Sequence, residues 1–434
     1  MMFKNIETKS LYRWLVVFIG FYGMCLHAGC LIYASGLFIK PLQTYFGWER
    51  GTIALAFTLQ FVFLGLLSPF IGKAVDRFGP RIVFISGAAI SSIGFLMMPM
   101  IKTPAHFYLL SILIGMAETA IGPVPCTGAV SPLFNKKRGL AVGIVSTGIG
   151  VGGFIFSILV GSLLIPSYGW QGGYYGIAAA HLIIIPMAMF MRGKNKQTAL
   201  RHEEAAETSG IKTDELRSML RSPSLWIIAV TFFMFLFSLV GTVQIQAPHL
   251  QDIGFPVLMA STTLGYLALV SAFAKLFFGW LCDKINPKTA YIISAACLVF
   301  GLAMLSFFRH DSSPVYLWTY VIIFGIGIGA WLPIMSMMTS RTFGTGSYGL
   351  YFGAITMVET IGQALGPLVA GLMFDSTGSY HSTFNLYIIL TVASLITASL
   401  IKGTHATVRR YDLEGLKDIK INMVGTHNRV PSIG

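Results

Sequence analysis

Long apolar segments separated by short polar loops dominate the sequence. Each segment has about 20 residues or more, the length that a helix needs to cross roughly 30 Å of bilayer hydrocarbon. The apolar residues run on without alternating at every second position, which favours helices over a membrane β-barrel. The pattern therefore predicts an all-α membrane protein with twelve transmembrane helices. The predicted spans are 12–38, 51–73, 82–101, 105–131, 139–165, 172–192, 224–248, 257–282, 289–308, 314–340, 350–374 and 381–401.

The amino-acid composition agrees with this pattern, and the position of the longest polar stretch indicates the domain boundaries. The 434 residues are 55% hydrophobic and only 11% charged, whereas an average soluble domain has roughly 25% charged residues. The longest polar stretch lies near the middle of the sequence. We therefore predict a first six-helix bundle at 1–192, a linker at 193–222, a second six-helix bundle at 223–402 and a polar tail at 403–434.

The charge distribution predicts the topology. The formal net charge is +13, and the basic residues concentrate in the loops on one side of the predicted membrane. The loops on the other side hold Lys40, Arg50, Lys102 and Arg309. By the positive-inside rule, both termini, the linker and the tail are cytoplasmic, and we expect a multi-pass protein of the inner or plasma membrane. The bases form no patch interleaved with aromatic residues, so we do not expect nucleic-acid binding.

Two short stretches repeat one pattern, a glycine, then an acid four residues later with a base beside it, and a final base. The first copy comprises Gly72, Asp76, Arg77, Gly79 and Arg81, and the second comprises Gly279, Asp283, Lys284 and Lys288, with Asn286 in place of the second glycine. A second set of positions repeats at a nearly equal offset. These are Gly115, Pro123, Gly139, Leu140, Gly143, Gly152 and Gly161, paired with Gly325, Pro333, Gly349, Leu350, Gly353, Gly362 and Gly371. The two sets of repeated positions therefore indicate that the second half of the chain is an internal duplication of the first.

The paired loop pattern, over twelve spans, resembles that of the major facilitator transporters. The resemblance implies two six-helix bundles related by an axis along the membrane normal. We expect the charged motif residues to form networks at the cytoplasmic helix ends that favour one orientation of the transporter. Their loss should then shift the conformational balance and leave substrate binding intact.

Three further strings resemble the monocarboxylate and oxalate-formate branch of this superfamily. They are Phe46-Gly47-Trp48-Glu49-Arg50, Phe134-Asn135-Lys136-Lys137-Arg138-Gly139-Leu140-Ala141 and Tyr168-Gly169-Trp170. Carriers of this branch usually place an arginine in the eighth helix, where this chain has Lys275. The resemblance implies a small carboxylate as substrate, with a proton as a possible coupling ion.

Three charged residues fall well inside predicted spans, away from the span ends: Lys275, Glu118 and Glu359. A charge near the bilayer centre costs on the order of 3 kcal/mol, so each is a functional candidate. We interpret Lys275 as an anchor for a substrate carboxylate, with Glu359 or Glu118 modulating the charge. The alternatives are an ion pair between Lys275 and Glu359, snorkelling of Lys275 and, for Glu118, a bond to a neighbouring helix.

Neutral and titratable side chains on the first and seventh predicted spans complete the candidate binding site. His27, Tyr33 and Gln244 lie on spans expected to line the central cavity, and His27 could titrate near neutral pH. We interpret His181 in the sixth span as structural. Two small-residue pairs, Gly148 with Gly152 and Gly362 with Gly366, should let helix backbones approach closely.

The sequence does not support an enzymatic function. The glycine-rich run at 148–153 lies inside an apolar segment and does not follow a strand, so it is not a phosphate-binding loop. The cysteines show no metal-ligand spacing, and no metal or cofactor is expected.

We therefore expect a secondary transporter that moves a small organic anion, of the monocarboxylate class, by alternating access with a proton. Two alternatives stay open. The first is a carrier or exporter of a neutral, aromatic or amphipathic solute, in which Lys275 and Glu359 merely pair. The second is a transporter-like sensor. Neither the direction of transport nor the oligomeric state can be predicted from the sequence.

Overall fold

Membrane-length helices make up nearly all of the described chain. The computed structural model describes residues 2–130, 133–134, 138–191, 217, 219–309, 312–344 and 348–401. Within them, eleven helical stretches are long and apolar enough to span a membrane. One of these, Leu140–Met189, has 50 residues and covers the fifth and sixth predicted spans. It bends at Gly169, whose φ of 70° is left-handed and breaks the helix. The all-α fold with twelve spans is thus confirmed. The predicted tail and nearly all of the linker lie outside the described residues.

The described residues of the first half form eight α-helices. They are α1 (Met2–Ala28), α2 (Ile39–Phe46), α3 (Arg50–Phe78), α4 (Pro80–Met97), α5 (Pro104–Glu118), α6 (Pro123–Val130), α7 (Arg138–Ile158) and α8 (Ile165–Met189). Between α1 and α2 the chain continues as a π-helical segment, Gly29–Ala34, and a 3₁₀ segment, Ser35–Phe38. Such irregular turns inside helices are frequent at functional sites.

In the second half, seven α-helices are present among the residues that the structure describes. They are α9 (Pro223–Asp252), α10 (Val257–Lys284), α11 (Pro287–Ser306), α12 (Pro314–Gly329), α13 (Trp331–Phe343), α14 (Tyr348–Thr377) and α15 (His381–Leu400). Several helices begin with proline at the first position, which suits its fixed φ and missing N–H group. The tight α3–α4 connection depends on Gly79, whose φ of 83° is accessible mainly to glycine.

Paired glycines show that the duplication extends to the packing. A Cβ atom placed on Gly115 would lie 2.7 Å from Gln60 Cα in α3, and one on Gly325 would lie 3.1 Å from Leu267 O in α10. These are equivalent contacts in the two halves. Gly152 and Gly362 are likewise equivalent, because they press α7 against α1 and α14 against α9. The close approach of backbones that was predicted at Gly152 and Gly362 is therefore present.

The two halves meet along two helix pairs, α7 with α10 and α14 with α3. A Cβ on Gly161 would lie 2.5 Å from Ser261 Cβ, and one on Gly371 would lie 2.9 Å from Arg50 O. Gly161 lies in a π-helical segment, Leu159–Leu164, that continues α7, and Gly371 lies in α14. Gly143 and Gly353 occupy equivalent positions nearer the beginnings of α7 and α14. A Cβ on either of them meets no heavy atom of the described residues within 4 Å, apart from the adjacent backbone of its own helix. The interface is thus tight at one end and open at the other.

We call the two ends of the bundle the motif end and the opposite end. The motif end holds residues 72–81 and 279–288, and the opposite end holds the start of α3 and the ends of α9 and α14. The halves are in close contact at the opposite end and separate toward the motif end.

Candidate functional site

Lys275 is buried in α10, at the interface between the halves. Its side chain is 6% exposed, and Nζ donates a hydrogen bond of 3.3 Å to Ser271 Oγ, one turn earlier. No carboxylate oxygen of the described residues lies within 4.0 Å of Nζ. An ammonium group in this setting has lost most of its hydration and gained no opposite charge, so it attracts an anion more strongly than it would in water.

Small residues of α7 and α12 pack closely around this part of α10. A Cβ on Gly150 would lie 2.6 Å from Ala272 Cβ, and one on Gly329 would lie 3.0 Å from Lys275 N. Close packing on two sides fixes the backbone of α10. The position of Lys275 is therefore set by helix packing in both halves.

Tyr33 belongs to the π-helical segment of the first half and reaches the same region. It is 1% exposed and its hydroxyl faces the Ser271 side chain. Its ring lies over Gly153, where a Cβ would come within 2.6 Å of Cδ2. Tyr33, Ser271 and Lys275 thus form a row of polar side chains contributed by both halves, in which the Ser271 hydroxyl accepts from Lys275 and donates to Ala268 O over 2.7 Å. This row constitutes the candidate anion site.

Glu359 in α14 is 2% exposed and does not pair with Lys275. Its Oε2 atom is buried without a hydrogen-bond partner among the described residues, and so is Thr356 Oγ1, three positions earlier on the same helix face. The ion pair that the sequence left open as an alternative is absent from this conformation. Lys275 and Glu359 therefore both lack an opposite charge within 4.0 Å among the described residues.

Gln244 of α9 lies where the first and seventh spans cross. Its Nε2 atom donates to Leu31 O over 3.4 Å, and its Oε1 atom is buried without a partner among the described residues. The backbone of Gln244 presses directly against Gly36. Gln244 therefore connects the halves beside the π-helical segment that carries Tyr33.

Glu118 lies in the first half, at the end of α5, within a cluster of buried titratable side chains. Its Oε1 atom is 2.6 Å from His181 Nε2 in α8, and its Oε2 atom is 3.5 Å from His27 Nδ1 in α1. Glu118 and His181 are fully buried, and His27 is 6% exposed. The structure brings Glu118 and His27 together with each other, and away from Lys275.

Sequence reasoning did not foresee that His181 would pair with Glu118. We interpreted His181 as structural because sixth helices of the superfamily are not expected to line the cavity. A usable signal was the presence of one acid and two histidines in three spans of the same half.

The loop motif residues occupy the motif end, as expected from their sequence positions. Arg77 and Arg81, like Asp283 and Lys284, are exposed. Lys288 Nζ donates to Ser399 O over 2.6 Å, and Arg341 Nη2 donates to Cys282 O over 2.8 Å, so bases here contact the carbonyl ends of helices. The Asp76 side chain lies outside the described part of the chain. The predicted role of the motif in switching stays a prediction.

At the opposite end, a charged network that the sequence did not reveal joins the halves. Arg50 Nη1 and Nη2 donate to Asp252 Oδ2 and Oδ1 over 2.6 and 2.8 Å, a two-point contact between α3 and α9. Lys40 Nζ lies 2.9 Å from the same carboxylate, and Arg50 also donates to the Tyr380 hydroxyl over 2.9 Å. We call this set of residues, together with Asp375, the interhalf lock.

Asp375 of α14 completes the lock by capping α3. Its two carboxylate oxygens accept the backbone N–H groups of Arg50 and Gly51 over 2.9 and 2.6 Å. These N–H groups lie at a helix N-terminus, where they lack an intrahelical partner and favour an anion. The Arg50 guanidinium stacks 3.6 Å from the centre of the Phe374 ring. The sequence signal was two acids at span ends, on the side that holds few bases.

Comparisons with known proteins agree with this architecture. The chain matches the profile of the Major Facilitator Superfamily over residues 19–367. It is 25% identical to monocarboxylate transporter 13 of Rattus norvegicus over 374 residues, which cover 86% of this chain and 84% of the relative. It is also 25% identical to the oxalate:formate antiporter of Oxalobacter formigenes, with coverages of 88% and 91%.

Solved structures show the same fold at low sequence identity. The nucleoside transporter NupG superposes with a TM-score of 0.73 at 13% identity, covering 90% of this chain and 100% of that one. A bacterial homologue of the lysosomal transporter Spinster, in an inward-facing and occupied conformation, gives a TM-score of 0.70 at 16% identity, with coverages of 90% and 95%.

Proposed function

We propose that this chain, which belongs to the Major Facilitator Superfamily, carries a small organic anion of the monocarboxylate class across the membrane. The chain is a multi-pass membrane transporter and not an enzyme. Relatives named as carriers of monocarboxylates, or of oxalate and formate, support the substrate class. Their identities of about a quarter leave the individual substrate open.

The observation that carries the proposal is the buried Lys275 side chain, which has no opposite charge within 4.0 Å among the described residues. A carboxylate bound here would neutralise it and would accept a further hydrogen bond from the Tyr33 hydroxyl. Lysine offers a point charge and lacks the planar fork of arginine, which suits a single carboxylate held by several donors. Glu359, with an unpartnered carboxyl oxygen in the same half, disfavours a dianion.

The site lies at a depth suited to alternating access. Lys275 precedes Asp283 of the motif end by eight residues, about 12 Å along a helix. In the proposed cycle the interhalf lock closes the route on one side while the motif end is open, and the reverse conformation opens the lock. From the charge distribution we place the protein in the cell membrane, with the motif end and both termini cytoplasmic.

Proton coupling is the remaining part of the proposal. Movement of one anion with one proton carries no net charge, so an inward proton gradient could drive accumulation of the anion. A buried ammonium and buried carboxyls supply groups whose protonation can be linked to anion binding.

Uptake into proteoliposomes tests the proposal. Purified protein is reconstituted, and labelled lactate or pyruvate is supplied with and without an inward proton gradient. We expect the gradient to stimulate uptake, and we expect Lys275→Gln to lower substrate affinity by about 2 kcal/mol or more, roughly thirtyfold. Lys102→Gln is the matched control, because Lys102 is exposed and lies away from the site.

Two outcomes would contradict the proposal. If Lys275→Gln takes up substrate with the same affinity and rate as wild type, Lys275 does not anchor the substrate carboxylate. Transport that survives neutralising both Lys275 and Glu359 would favour a carrier of neutral or amphipathic solutes.

A further inference from the structure

We infer that Glu118, His181 and His27 form the proton-binding site of this transporter, separate from the anion site at Lys275. The inference rests on the proposed function, because it names the group that carries the coupled proton. It comes from the geometry of three buried side chains on three helices, α5, α8 and α1.

The His181 contacts require a proton between this histidine and Glu118. Nδ1 of His181 lies 2.8 Å from Ile177 O, a carbonyl that only accepts, so Nδ1 carries a hydrogen. Nε2 lies 2.6 Å from Glu118 Oε1. Without a hydrogen between them, two lone pairs would face each other at this distance. The contact therefore holds one proton, either on the imidazolium or on the carboxylic acid.

The second oxygen of Glu118 offers another proton position. Oε2 lies 3.5 Å from His27 Nδ1, and both atoms are buried without a hydrogen-bond partner among the described residues. One of the two contacts of the cluster is thus a short hydrogen bond, and the other is not formed. Protonation of His27 would give an imidazolium, whose Nδ1–H could donate to Oε2 whichever nitrogen carries the hydrogen in the neutral ring. The cluster can therefore bind an additional proton with little rearrangement.

The surroundings leave the histidines as the partners of the carboxylate. No lysine or arginine of the described residues lies within 4.0 Å of Glu118. Among the described residues, the thiols of Cys30 on the first span and Cys126 on α6 interact electrostatically with Glu118, and Cys25 and Tyr22 on α1 lie near these thiols. The Tyr22 hydroxyl is engaged with Ala180 O at 2.9 Å, and the Phe95 ring lies 5.1 Å from that of His181.

The first span connects this cluster to the anion site. His27 lies two residues before the π-helical segment Gly29–Ala34, and that segment carries Tyr33, which faces Ser271 beside Lys275. The His27 ring is in tight contact with Gly122, where a Cβ would lie 3.2 Å from Nδ1. A change in the His27–Glu118 contact therefore acts on the same short stretch of helix that presents Tyr33 to the anion.

Linkage between the two ligands gives the test. If one proton and one anion bind cooperatively, low pH raises the affinity for the anion, and anion binding takes up a proton. In wild-type protein we expect apparent pyruvate affinity to change about tenfold between alkaline and acidic pH, within the usual range of coupling between sites. Glu118→Gln should reduce this change to less than about twofold while pyruvate still binds.

Proton uptake provides the direct measurement. Pyruvate is added to purified protein in weakly buffered detergent solution, and the pH change is recorded. Wild type should take up protons on binding and Glu118→Gln should not, whereas exchange of labelled pyruvate across proteoliposomes at equal pH should persist. His106→Gln is the control, because His106 is an exposed histidine far from the cluster.

Glu118→Gln protein that folds and keeps both the pH dependence and the proton uptake would overturn the inference. If Glu118→Gln does not fold, His27→Gln is measured in its place, because it alters only the longer 3.5 Å contact. An unchanged pH dependence in that variant would overturn the inference as well.

The proton site can also be tested independently of monocarboxylate transport. If wild type binds no monocarboxylate, infrared difference spectra between acidic and alkaline protein still test the cluster. A carboxylic-acid band that Glu118→Gln removes would support a proton site. Identical spectra of wild type and Glu118→Gln would exclude one.

Discussion

The two halves of this protein bury charge in different ways. In the first half, Glu118 contacts two histidines that belong to the same half. In the second half, Lys275 and Glu359 are equally buried, yet neither has an opposite charge within 4.0 Å among the described residues. A charge paired within its own half keeps its partner when the halves move. A charge without a partner remains available to a ligand.

The interhalf lock adds a third arrangement to this comparison. Arg50 of the first half is 3% exposed and is held by Asp252 and Asp375 of the second half. This contact can exist only while the opposite end is closed. The location of a partner thus separates three roles that burial alone does not distinguish: internal pairing, conformational locking and ligand binding.

The largest expected effect comes from breaking the lock. Arg50→Gln removes the two-point contact with Asp252 and leaves that carboxylate with Lys40. We expect it to disfavour the closed opposite end by about 2–3 kcal/mol, less than a fully buried pair, because the Asp252 side chain is 24% exposed. Distances between spin labels on the two halves at the opposite end would measure the shift.

Arg50→Lys is a milder change at the same position and is measured in the same way. Lysine keeps the charge but cannot donate two parallel hydrogen bonds, so we expect an intermediate shift. Unchanged distance distributions in Arg50→Gln would show that close helix packing alone keeps this end closed.

The second prediction compares stability between the halves directly. Glu118→Gln weakens a charge-assisted hydrogen bond and should lower the free energy of unfolding by about 1–2 kcal/mol. Lys275→Gln removes an unpaired buried charge, whose insertion into the membrane costs on the order of 3 kcal/mol, so stability should not fall. Thermal unfolding of substrate-free protein in one detergent compares them. A clear loss of stability in Lys275→Gln would indicate a hidden partner for Lys275.

Much of the fold could be predicted from the sequence, because the bilayer imposes strong local rules. Continuous apolar segments predicted the spans, and repeated glycines predicted the duplication that the α3–α5 and α10–α12 contacts now show. The fifth and sixth spans merged into one stretch because helix continues on both sides of the kink at Gly169. A local pattern predicts helices well, but it does not predict how one helix passes into the next.

The sites were harder to predict because they depend on which helices face each other. Lys275, Glu118 and Glu359 could be singled out one at a time, since a charge in an apolar span is conspicuous. Their partners could not. Asp252 and Asp375 lie at span ends, where an acid is unremarkable, and only the crossing of α3 with α9 and α14 brings Arg50 to them.

The smallest expected effect concerns the glycines at the open motif end. A Cβ on Gly143 or Gly353 meets nothing within 4 Å among the described residues, apart from adjacent helix backbone. Alanine at either position should therefore leave this conformation as stable, or more stable by about 0.4–1 kcal/mol. At the opposite end, the halves are now in close contact at Gly161 and Gly371. If the motif end closes in the same way during transport, the added methyl groups should clash there and slow turnover.

Gly161→Ala is the matched control, because its Cβ would lie 2.5 Å from Ser261 Cβ and should destabilise the present conformation by about 1–3 kcal/mol. Stability is compared by thermal unfolding, and turnover by the rate of labelled-substrate exchange. Full turnover in the Gly143→Ala and Gly353→Ala double variant would mean that α7 and α14 never approach α10 and α3 at the motif end. In that case the closure of the two ends would not be symmetric, and the internal duplication would not extend to the motion.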